Sequence, residues 1–96
     1  MVKEAHFFVL GKVQSVGYRA WCVKTATQYA LSGWVRNRAD GSVEVFAKGE
    51  DLSVELFMKQ CLKGPLWANV LSLKPATHSL LLPEYTDGIF TQKPSV

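Results

Sequence analysis

Arg19 and Asn37 are the residues best suited to chemistry by type and setting. Arg19 follows the segment Gly11-Lys12-Val13-Gln14-Ser15-Val16-Gly17-Tyr18, which closes one apolar run and opens a stretch free of glycine and proline. Backbone amides at the start of a helix have no partner within the helix, so a loop of this kind attracts an anion. Gly17 lets the chain bend closely around a tetrahedral group, and an arginine in the first helical turn can add two parallel charged hydrogen bonds. Asn37 stands just before Arg38-Ala39-Asp40-Gly41, a tight-turn signal, at the end of a second apolar run. Its carboxamide oxygen accepts a hydrogen bond from water but cannot take the water's proton. An anion cradle beside a neutral group that aims water outlines a hydrolytic site for a phosphorylated compound.

Each signal is weak alone, since many such loops only turn the chain and an asparagine before a turn commonly caps its own backbone. Their placement on adjacent elements joins them. Elimination then narrows the reaction. A cysteine-based phosphatase needs a thiol six residues before its arginine, and that position is Val13. The Gly-Lys-Ser/Thr ending of a nucleotide-binding loop is missing. His6 and His78 lack a suitable acid beside them in sequence and read as structural or exposed. Without an evident general acid, base or metal, a site can still cleave a carboxylic-phosphoric anhydride, because the carboxylate leaves without being protonated first. Charge neutralisation and water placement suffice, so the pattern points to an acyl phosphate.

The elements that must hold these residues are a strand over 4–10, an amphipathic helix over 18–31 with Trp21, Cys22, Ala26, Tyr29 and Ala30 on one side and Lys24, Thr25 and Gln28 opposite, and a strand opened by Trp34 and Val35. A hairpin turn leads to a return strand over 42–48, whose alternation puts Val43, Val45 and Ala47 on one face and Glu44, Phe46 and Lys48 on the other, with Gly49 as its stop. A second helix spans 51–63, with Leu52, Leu56, Phe57, Gln60 and Cys61 at helical intervals and Gly64-Pro65 after it. Another strand covers 68–73, and 88–92 is a weaker last strand of open register. With right-handed crossovers this order predicts an α+β, ferredoxin-like α/β sandwich: an antiparallel sheet of four to five strands with two antiparallel helices on one face. The apolar triplet Leu80-Leu81-Leu82 either folds back on the core or forms a contact patch.

At 96 residues the chain suits a single domain spanning 1–96. A net charge of +3, from 11 Lys+Arg against 8 Asp+Glu, is mild and scattered. Cys22 and Cys61 form no Cys-x-x-Cys pair and have no neighbouring histidine, which excludes a thiol-ligated metal of usual spacing; they read as two free core thiols, with a mutual disulfide as the other state. No apolar run approaches the ~18 residues of a membrane span, and the N-terminus is no signal peptide, so a cytoplasmic location is expected. The same fold serves RNA-binding modules, but residues 42–48 lack the basic, glycine and aromatic pattern such a surface needs, despite Phe7 and Phe46.

The two segments resemble the acylphosphatase family, whose signatures read approximately G-x-V-Q-G-V-x-F-R and G-W/Y-V/A-x-N-x-x-x-G-x-V, the second followed after five residues by a glycine. The second is matched from Gly33 through Asn37, Gly41 and Val43 to Gly49, and the likeness runs from about Phe7 to Pro65, more loosely to Leu73. It implies a phosphate-binding Arg19, a water-orienting Asn37 and an anion-binding loop of Val13, Gln14, Ser15, Val16, Gly17 and Tyr18. It also implies the ferredoxin-like fold, no cofactor or metal, a small acyl phosphate substrate, inorganic phosphate as product and inhibitor, and a cytosolic monomer that binds neither nucleic acid nor membrane. Three positions depart from the pattern: Ser15 for glycine, Tyr18 for phenylalanine, and Ala30 for the glycine that ends the first helix. If Ser15 needs a positive φ, strain of about 1 kcal/mol or more accompanies it, and a weakened, phosphate-binding relative is the alternative function.

Overall fold

The computed structural model describes residues 1–76 and 83–96. The expectations for His78 and for Leu80, Leu81 and Leu82 lie outside these residues. Seven elements follow in order: β1 (Val2–Lys12), α1 (Tyr18–Gln28), β2 (Ser32–Asn37), β3 (Val43–Glu50), α2 (Asp51–Lys63), β4 (Asn69–Pro75) and β5 (Phe90–Gln92). One five-stranded sheet has the order β4-β1-β3-β2-β5. Its first four strands are antiparallel neighbours, as a ferredoxin-like arrangement requires.

The fifth strand differs from the expected antiparallel sheet: β5 runs parallel to β2, pairing Gly33 with Phe90 and Val35 with Gln92. The sheet is therefore mixed. β4 forms one edge of the sheet and β5 the other, on the far side of β2. Phe90 anchors β5, buried and edge-on to Phe57 of α2 at a ring separation of 5.9 Å. Gly33 is required where this happens, because a Cβ there would lie 1.9 Å from the Phe46 carbonyl oxygen.

Both helices cover one face. Ala5, Phe7 and Val9 of β1, Val35 of β2, and Val43, Val45 and Ala47 of β3 pack there against Cys22 and Ala26 of α1 and Val54, Phe57 and Cys61 of α2. The inner stripe of α1 also includes Tyr18 and Thr25, the latter expected outside. In α2 the stripe is Val54, Phe57 and Cys61, spaced by three and four residues; Leu52 and Leu56 sit off that line and are 65% and 38% exposed. Cys22 and Cys61 are both free and fully buried.

Strand β3 is buried on its other face too, where Glu44 and Phe46 are 2% and 6% exposed. A second, thinner layer lies there. Trp34 stacks on Phe46 at 6.0 Å, Tyr85 approaches Phe46 at 5.3 Å, and the Trp34 Nε1 donates to the Pro83 carbonyl. Strand β3 also continues through Gly49, which was expected to stop it.

Helix α1 ends at Gln28, three residues before the expected end, and Ala30 follows with φ +58°. The Ala30 and Leu31 amides reach back to Thr27 and Ala26 carbonyls, the left-handed ending that usually recruits glycine. An L-residue in this conformation costs about 1–2 kcal/mol, against about 0.5–1 kcal/mol of extra chain entropy for glycine. Ala30→Gly should therefore raise stability by roughly 1 kcal/mol, measured as a higher thermal midpoint; a lower midpoint would show that this residue is unstrained.

Candidate active site

The loop between β1 and α1 brings its residues to one end of the sheet. Gly17 is the N-cap of α1, with φ +79° and no side chain to cap the helix, and the first intrahelical bond runs from the Trp21 amide to the Gly17 carbonyl. The first-turn amides thus have no partner within the helix, and the residues that carry them, Tyr18, Arg19 and Ala20, line a cavity of about 120 Å³. Val13, Ser15, Gly17, Tyr18 and Arg19 line its loop side, Ala20 continues it along the helix, and Asn37 and Gln92 close it from the sheet. Arg19 and Asn37, far apart in sequence, meet here.

Of the six loop residues expected at the anion, four line this cavity. Gln14 and Val16 do not: Val16 packs on the core, and the Gln14 carboxamide turns toward the β2-β3 hairpin. Tyr18 is buried, and its hydroxyl donates to the Cys61 carbonyl at 2.7 Å, tying the start of α1 to α2. Burial pushes its phenol well above the usual range, so it stays neutral.

Strand alternation sorts β2 into two sets. Asn37 follows Val35 toward the helices and the cavity. Arg36 and Arg38 face away, and their Nε and Nη1 groups donate to Glu44 Oε1 at 2.7 and 2.9 Å. His6 Nε2 donates to the other carboxylate oxygen at 2.6 Å. The acid partner of His6, which its sequence neighbours did not offer, is therefore supplied from 38 positions away. Burial opposes ionisation of Glu44, but hydrogen bonds from Arg36, His6 and Arg38 outweigh it and hold the carboxyl below its usual range. With those two arginines engaged on the far face, Arg19 is, among the described residues, the charged side chain lining the cavity.

The Asn37 side-chain oxygen is buried and has no hydrogen-bond partner among the described residues. A buried acceptor in that condition costs about 1–3 kcal/mol and is uncommon outside functional sites. The strand holds it firmly: Asn37 pairs with Val43, and its carbonyl accepts the Val96 amide at 3.0 Å. Gln92 was missed by sequence reasoning because only the parallel register of β5 brings it beside β2. Among the described residues, no group of three or more His, Cys, Asp or Glu side chains could hold a metal ion, and no helix is long and apolar enough to cross a membrane.

The acylphosphatase family profile matches residues 5–84. The chain belongs to the acylphosphatase family. An acylphosphatase of Moorella thermoacetica is 46% identical over 71 residues, spanning 74% of this chain and 76% of that protein. One from Rhodospirillum rubrum is 43% identical over 88 residues, covering 92% of each. The acylphosphatase structure from Coxiella burnetii superposes with a TM-score of 0.80 at 32% identity, over 96% of this chain and 93% of that one. Against the family signature, the departure that bears on the site is Ser15. It has φ +62°, the left-handed conformation for which glycine is the ordinary choice.

Proposed function

We propose that the protein hydrolyses the carboxyl-phosphate anhydride of small acyl phosphates, by in-line attack of a water held by Asn37 on a phosphate held by Arg19 and the loop amides. Family membership supports the reaction. The division of labour is supported by one observation, the buried and unpartnered Oδ1 of Asn37, a residue that lines the same cavity as Arg19.

Phosphoryl oxygens accept from the first-turn amides of α1 and from the guanidinium, which neutralise charge as it spreads in the transition state. The water donates one hydrogen to Asn37 Oδ1 and turns a lone pair toward phosphorus. Its oxygen bonds to phosphorus as the bond to the acyl oxygen breaks, and that electron pair leaves with the carboxylate. The water's proton passes to a phosphoryl oxygen. Products are a carboxylate and inorganic phosphate, and the phosphate inhibits by occupying the same cradle. In this reading the protein acts as a cytoplasmic monomer on a small molecule, without cofactor or metal, nucleic acid or membrane.

A second reading has the φ of Ser15 in its favour: a family member with weakened catalysis that binds phosphate. Hydrolysis of benzoyl phosphate, followed in buffer containing a chelator, separates the two. Catalysed hydrolysis inhibited by inorganic phosphate is the expected result. Phosphate binding without hydrolysis would establish the weakened binder, and absence of both would overturn the site.

A further inference from the structure

Gln14 lies in the phosphate loop yet its side chain leaves the cavity to others. Its Nε2 group donates to two backbone carbonyls of the β2-β3 hairpin, Arg38 at 2.7 Å and Ser42 at 2.8 Å. A carboxamide nitrogen carries two hydrogens, so both are committed. The partners are 24 and 28 positions away and are themselves fixed. The Arg38 amide donates to the Ser42 carbonyl at 2.9 Å, and the Gly41 amide to the Arg38 carbonyl at 3.1 Å. Asp40 Oδ1 accepts from both the amide and the hydroxyl of Ser42, at 2.9 and 2.6 Å.

Chain neighbours give this contact its meaning. Gln14 immediately precedes Ser15, which lines the cavity, and Arg38 immediately follows Asn37, which lines it too. A side chain thus reaches directly from the loop half of the site to the hairpin half. We infer that Gln14 is a positioning residue, which sets the separation between the phosphate cradle and the water-holding carboxamide of Asn37; the inference rests on the hydrolytic reading above. In-line attack is sensitive to that separation, and a displacement near 1 Å costs up to about 100-fold in rate. Phosphate binding depends on the loop and Arg19 alone, so it is insensitive to the hairpin's position.

Two variants test this with benzoyl phosphate as substrate and inorganic phosphate as inhibitor. Gln14→Ala removes both donors, and kcat should fall about 10- to 100-fold while the inhibition constant of phosphate stays within about threefold. Gln14→Glu faces two carbonyl oxygens with a carboxylate that can only accept. Its kcat, divided by the wild-type value at each pH, should rise as the pH is lowered and the carboxyl gains one donor proton. Circular dichroism at each pH confirms that the variants are folded. Wild-type kcat in either variant, a flat ratio across pH, or a parallel loss of phosphate binding would each overturn the positioning role. Failure of the wild type to hydrolyse benzoyl phosphate would instead overturn the reading beneath it.

Discussion

Arg19→Gln should lower kcat/KM for benzoyl phosphate by about 1,000-fold and weaken inhibition by inorganic phosphate in step, because one guanidinium serves both bound phosphate and transition state. The charge is irreplaceable locally. Arg36 and Arg38 are turned to the far face and held by Glu44, so neither can substitute for it. Asn37→Ala should behave differently: kcat falls about 100- to 1,000-fold, with phosphate inhibition nearly unchanged. The same substitution removes a buried acceptor that lacks a partner, so stability should hold or rise by up to about 1 kcal/mol. Steady-state kinetics with phosphate inhibition, paired with urea unfolding, reads all of these quantities. If Asn37→Ala impaired phosphate binding as much as turnover, its assignment to the water would be wrong.

The largest effect on stability should come from Glu44→Gln, about 3 kcal/mol. Three donors converge on this carboxylate, and Arg36 and His6 have side chains only 14% and 10% exposed. Neutralising the acid leaves Arg36 without its counter-charge in a place water scarcely reaches, and deprives the neighbouring donors of a carboxylate acceptor. A domain of this size is stable by about 5–15 kcal/mol in all, so the loss is a large share. Its pH dependence has a definite sign. The folded carboxyl titrates below its usual value of 4.5, so the unfolded chain binds the proton more readily. The carboxylate's contribution is complete above that value and fades as the pH falls through the folded pKa. Urea unfolding across the acid range should show the wild type losing this increment below about pH 4.5, with the variant's curve flatter there. Parallel curves would remove Glu44 from the acid response.

Local signals made much of this legible beforehand. Helix α2 was bounded by an acid at one end and Lys63-Gly64-Pro65 at the other, and it formed over those residues. Arg19 and Asn37 could be placed because a loop-to-helix junction and a strand-to-turn junction are each written within a few residues. What depended on distant partners was not legible. An alternating strand with a glutamate reads as a solvent face, and only the arrival of His6 and Arg36 makes that face a buried one. A three-residue strand carries too little pattern to announce its direction, so the parallel course of β5, and with it Gln92, had to come from tertiary structure. The Gln14 side chain looked like part of an anion loop until its two acceptors were in view.

Cys22 and Cys61 are enclosed between the helices and the sheet, and burial, followed by the hydrogen bond between the two thiols, pushes the Cys22 thiol above its ordinary range. The thiolate is the form that attacks a thiol reagent, and it must first meet the reagent, so in the closed molecule these enclosed sulfur atoms are chemically silent. Their labelling rate is then a clock for the parting of the two helices. Protein kept under reducing conditions carries an internal stopwatch for its own opening, with no dye or tag introduced into the active end of the molecule.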